Sequence, residues 1–96
     1  MLTGEQVIDF ASVKTAGLKQ SGELERIFGV SRLMVNLYMA GKAQPRLPKA
    51  RRVDAAVRIL TDLVAQGKLP LSPDRTKEQR AKAVEKIVDF IERKLN

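Results

Sequence analysis

The sequence predicts an all-α fold of five helices, the last of them long. Three observations carry that prediction. Apolar residues recur at i, i+3, i+4 spacing through most of the 96 residues, whereas no stretch alternates as a strand would. Glycine and proline punctuate the ends of the periodic segments and leave their interiors alone. Two segments open on a Thr followed three residues later by Gln, which is the capping-box pattern of a helix start.

The elements follow in order. Thr3 and Gln6 form the first capping box, ahead of Val7, Phe10, Ala11 and Leu18 on one helical face, with Gly17 as the stop. A short second helix is expected from about Lys19–Ser21 to Gly29. Ser31 suits the N-cap of a third, which ends at Gly41. A loop from Lys42 to Leu47, containing Pro45, leads to Pro48, which suits the first turn of a fourth helix. There Val53, Ala56, Val57, Leu60, Leu63 and Val64 make one apolar stripe, and Gly67 ends it. Lys68 to Asp74, with Pro70 and Pro73, reads as a linker. Thr76 and Gln79 cap a last helix that runs to about Leu95 and is roughly 30 Å long. Its stripe is Val84, Ile87, Val88, Ile91 and Leu95, with Phe90 on the flank. The expected organisation is a compact unit over 1–69 and a linker plus C-terminal helix over 70–96.

Composition narrows the function. The chain has neither cysteine nor histidine, which excludes disulfides and thiolate or imidazole metal sites, and no cofactor is implied. Its carboxylates, Glu5, Asp9, Glu23, Glu25, Asp54, Asp62, Glu85 and Asp89 among them, are scattered over polar helix faces without a catalytic pairing, and a phosphate-cradling glycine loop is missing, so an enzyme is not expected. No apolar run is long enough to span a membrane, and the acidic first ten residues do not resemble a secretory signal; a cytoplasmic location is the expectation. The net charge is +7, and residues 31–58 alone contribute +6, from seven basic side chains against Asp54. A positive field concentrated in one window suits a polyanion or an acidic protein surface.

The segment from Ser21 to Ala40 sits at the edge of that window. Leu24 and Phe28 give its first helix a buried edge, Gly29 supplies the positive φ of a tight turn, and Val30 plugs the turn. On the second helix Met34, Val35 and Tyr38 fall on one side and Arg32, Leu33, Asn36, Leu37 and Ala40 on the other. Arg32 and Asn36 therefore share an outward face one turn apart. Asn pairs bidentately with adenine, Arg with guanine or phosphate, and leucines contact thymine methyls, so these are side chains suited to the major groove of DNA. Lys42, Arg46, Lys49, Arg51 and Arg52 follow where they would grip phosphates, helped by free N–H groups at the start of the fourth helix.

Leu24, Phe28, the run Gly29-Val30-Ser31, Arg32, Val35, Tyr38 and Gly41-Lys42 resemble the helix-turn-helix of Cro/repressor-like regulators from phages and bacteria. Ala16-Gly17-Leu18 with Gln20, and Pro45 after the Gly-Lys pair, extend the likeness over about residues 16–45. Two features depart from that family: Glu25 stands where a small residue is usual, and the spacing from Gln20 to Leu24 is one residue longer. The resemblance implies sequence-specific binding of double-stranded DNA by a transcriptional regulator, most simply a repressor, acting as a homodimer on a palindromic operator. Carried over by position, the base-reading residues are Ser31, Arg32, Leu33, Asn36 and Leu37.

A dimer needs an interface, and the stripe Val84, Ile87, Val88, Ile91 and Leu95 is the expected one; the other fate of this stripe is to fold back on its own domain. Two further readings stay open. A small protein-binding adaptor or inhibitor on the same scaffold would use Leu33, Leu37 and the neighbouring cations. Non-specific RNA or single-strand binding would need stacking platforms, but Phe10, Phe28, Tyr38 and Phe90 all fall at positions assigned wholly or partly to the core.

Overall fold

The computed structural model describes residues 8–96, and the capping box of Thr3 and Gln6, with Val7, lies outside them. Five α-helices form among the described residues, with no strand: α1 (Ala11–Thr15), α2 (Glu25–Phe28), α3 (Arg32–Met39), α4 (Lys49–Ala65) and α5 (Lys77–Leu95).

The two long helices are capped as their sequences predict. Thr76 accepts from the Gln79 N–H at 3.2 Å, and the Gln79 side chain accepts from the Thr76 N–H at 2.9 Å, which completes the capping box of α5. After α4, Gly67 takes φ +75°, with Gly67 N–H donating to Val64 and Lys68 N–H to Leu63 at 3.1 and 2.9 Å. Helix α3 ends the same way: Gly41 donates to Tyr38 and Lys42 to Leu37. This pair of bonds satisfies carbonyls that the helix end would otherwise leave open.

The first two helices begin later than their periodicity suggests. Helix α1 starts at Ala11, whose N–H donates to the Asp9 carboxylate at 2.9 Å. Just before it, the Ile8 backbone is bound on both sides by the Gln44 amide, at 2.9 and 3.2 Å, so this stretch is tied to the α3–α4 loop and not to a helix of its own. Regular α2 is only four residues long. Ser21 (ψ 120°) and Gly22 (φ +89°) break the helix that the sequence places there, and a widened turn, Leu24 N–H to Lys19 C=O at 2.9 Å, absorbs the extra residue between Gln20 and Leu24.

One core joins all five helices. Helix α4 supplies Val53, Ala56, Val57 and Leu60; α2 and its lead-in supply Leu24, Ile27 and Phe28; α3 supplies Val35, Tyr38 and Met39. Helix α5 lies along α4 and also touches α2, and its stripe is interior: Val84 and Ile87 are 4% exposed, Val88 and Ile91 fully buried, and Leu95 packs against the core from its edge. The expected dimer interface is therefore corrected. These side chains face their own domain, where they pack into one core with the buried residues of α4 and α2. For the same reason residues 70–96 are not a separable unit. The Cα radius of gyration, 12.8 Å, is close to the about 12.5 Å of a globule this size, as a folded-back α5 requires. Phe90, also assigned partly to the core, stands instead 51% exposed.

Polar clips fix α5 in register. Arg80 meets Glu23 in a two-pronged ion pair at 2.8 and 2.9 Å and also donates to the Gly17 carbonyl at 3.2 Å. Arg26 holds Glu85 the same way at 3.0 and 3.1 Å, but in the open, where such pairs contribute about 0–1 kcal/mol. Partial burial alone would raise the Glu23 pKa. The Arg80 guanidinium and the Lys19 N–H stabilise the carboxylate and together hold it below the usual 4.5.

Two outcomes are expected. Ile91→Ala should lower stability by about 2–5 kcal/mol, with a melting temperature that does not change on tenfold dilution; a concentration-dependent melt would indicate a stripe shared between copies. Because the Glu23 pKa is depressed in the folded state, its stabilising contribution is present above pH 4.5 and is lost as pH falls through the lowered value. Thermal melts over that range should fall more steeply for the native chain than for Glu23→Gln.

Candidate nucleic-acid interface

The site is built around a helix, a three-residue turn and a helix. Phe28 ends α2, and Gly29 follows with φ +71°, a left-handed conformation that a side chain would strain. Val30 is buried beneath the turn. Ser31 is extended and accepts from the Met34 N–H at 3.3 Å, starting α3. Below the turn Phe10 stacks on Tyr38 with centroids 5.5 Å apart and meets the Phe28 ring edge-on at 5.9 Å, so a residue from ahead of α1 wedges the two helices. Burial raises the Tyr38 pKa.

Glu25, where the resemblance expects a small residue, is half-buried. Its carboxylate turns back to the N-terminal end of α2 and accepts from the Gly22 N–H at 3.2 Å, where a negative charge is favourable.

The outward face of α3 is as the wheel predicts. Val35, Tyr38 and Met39 are buried and Met34 is half-buried, while Ser31, Arg32 and Asn36 are exposed and Leu37 is half-buried at the margin. Leu33 is 66% exposed. Arg32 and Asn36 stand one turn, about 6 Å, apart on this face.

Lys42, Arg46, Lys49 and Arg51 are exposed on the loop that leaves α3 and on the first turn of α4. Among the described residues none of them, nor Arg32, has a carboxylate within ion-pair distance; Asp54 pairs with Arg58. Leu47 on the same loop is 59% exposed. The sequence held no signal for it, because helical periodicity does not extend into a loop.

Arg52 differs from the other cations. Its Nε donates to the Ile27 carbonyl at 3.2 Å and a terminal nitrogen donates to the Arg26 carbonyl at 3.3 Å. The side chain lies so close over the turn that a Cβ on Gly29 would stand 2.9 Å from Nε. Arg52 thus caps the C-terminal end of α2, in place of the phosphate contact its position in the basic run suggested. The expected free N–H groups at the start of α4 are also reduced, because Ala50 donates to Arg46 and Arg51 to Pro48.

Among the described residues there is no cluster of three or more potential metal ligands, and no helix is long and apolar enough to cross a membrane. Comparison with protein-family models, curated proteins and solved structures found no match to this chain.

Gly29→Ala should be destabilised by more than about 1 kcal/mol, since it adds left-handed strain to a clash with Arg52. Gly41→Ala carries similar strain with nothing within 4 Å, and should lose less in the same chemical denaturation experiment.

Proposed function

We propose that this protein binds double-stranded DNA sequence-specifically through α3 and acts as a transcriptional regulator, by simple occupancy of its site a repressor. The observation that carries this reading is the pairing of two surfaces. Exposed Arg32, Leu33 and Asn36 lie on a helix whose opposite side is buried, and Lys42, Arg46, Lys49 and Arg51 continue from it without carboxylate partners among the described residues. Ser31, Arg32, Leu33, Asn36 and Leu37 face the base edges, and the four cations engage the flanking phosphates. Arg52 serves this site by holding the turn that aims α3.

One short recognition helix reads few base pairs, so two copies bind an inverted repeat with half-sites about one turn apart. The α5 stripe is occupied, so the DNA itself brings the copies together through adjacent half-sites. No enzymatic step is part of this reading, and its setting is the cytoplasm, where the DNA of a phage or bacterium lies.

A second reading is favoured by one observation: Leu33 and Leu47 are 66% and 59% exposed, which also suits an adaptor that covers them with a protein. A selection on random duplex DNA at two salt concentrations separates the two. Enrichment of a motif supports the regulator, whereas weak binding without sequence preference, abolished by salt, supports the adaptor.

On the selected site Asn36→Ala should lose about 1–3 kcal/mol and relax preference at one base pair. Arg46→Ala should weaken all duplexes alike and reduce the salt slope by about 1. Fluorescence anisotropy titrations at several salt concentrations measure both.

A further inference from the structure

We propose that the groove between the α4–α5 linker and the outer edge of α5 is a docking site for an acidic peptide segment with an apolar anchor, presented by a partner protein. The proposal is independent of DNA binding by α3.

The groove is half-open, with a volume of about 700 Å³. Its charge is of one sign. Lys68, Arg75, Lys82 and Lys86 line it, and no acidic residue does. None of the four is in an ion pair among the described residues. Elsewhere α5 mixes its charges, and on its other side Arg80 pairs with Glu23 and Glu85 with Arg26. Lys82 and Lys86 are one turn apart, so their like charges repel until an anion lies between them.

The apolar part of the groove selects the kind of anion. Phe90 follows Lys82 and Lys86 at i+8 and i+4 along the same edge and is 51% exposed, and Leu71 is half-buried beside it. A DNA backbone would neutralise the lysines and leave Phe90 in water. A peptide carrying Asp or Glu around one large apolar side chain satisfies both. The groove is also remote from the basic window: Leu63, on its wall, lies fourteen residues beyond Lys49 along α4, about 21 Å down the helix axis. A second copy of this chain is a poor occupant, since two molecules of net charge +7 repel.

The test uses the full chain and a displayed random-peptide library. The expected peptides carry several acidic residues around an aromatic or leucine. In titrations of the isotope-labelled native chain they should shift the amides of residues 67–72 and 82–90 and leave those of α3 in place. The double variant Lys82→Glu, Lys86→Glu changes only exposed side chains, and should bind them about tenfold or more weakly, as should Phe90→Ala. Peptides without acidic bias, or shifts confined elsewhere, would overturn the proposal whether or not the variants fold. So would duplex DNA moving the same groove amides, or a dimer by sedimentation that Phe90→Ala dissolves; these assign the groove to nucleic acid or to a second copy. Because α3 is monitored in the same spectra, failure here and failure of DNA binding are separately visible.

Discussion

A helix of four residues cannot sustain itself in water, since nucleation fixes several dihedrals before hydrogen bonds offset their entropy. Helix α2 is such a helix, and the aim of α3 depends on it through a three-residue turn. Everything around α2 acts as its support. Leu24, Ile27 and Phe28 bury its inner side, Arg52 caps its last carbonyls from α4, and Arg26 joins it to Glu85 on α5. The long helices are therefore the frame that holds the short ones, and α3 is placed by contacts distant from it in sequence.

That frame explains why the C-terminal helix is interior. Without Val84, Ile87, Val88 and Ile91, the faces of α4 and α2 would be open to water. Burying the stripe leaves α5 an outer edge with lysines and Phe90, so the helix contributes to the core and presents a surface of its own. The molecule thus separates two positively charged regions along α4: one beside the turn and α3, the other at the far end against α5. Their chemistry differs, because exposed Asn36 and Arg32 can hydrogen-bond base edges, while Phe90 and Leu71 offer an apolar contact.

Arg52 illustrates how position in a charge run can mislead. In the sequence it is one of five cations between Lys42 and Arg52, alike in type and spacing. In space it lies over a glycine whose missing side chain leaves room for it, and its donors meet carbonyls that the end of α2 leaves open. Lys49 and Arg51 lack such acceptors and remain in solvent. Glu25 shows the converse. Where the resemblance read from the sequence expects a small residue, its carboxylate accepts from the neighbouring Gly22 N–H.

By itself the sequence determined the all-helical class, the caps of α3 and α5, the glycine end of α4, the buried faces of α3 and α4 and the outward face that carries Arg32, Leu33 and Asn36, because these follow from local periodicity and from hydrogen bonds a few residues apart. It also determined where positive charge accumulates. Only the tertiary structure decided that the α5 stripe closes its own core, that Arg52 holds a turn, that Gln44 anchors Ile8 and that Phe90 faces water beside Lys82 and Lys86. Each of those depends on partners tens of residues away. Local pattern states that a stripe must be covered or a donor satisfied, but the partner is chosen by how the whole chain packs.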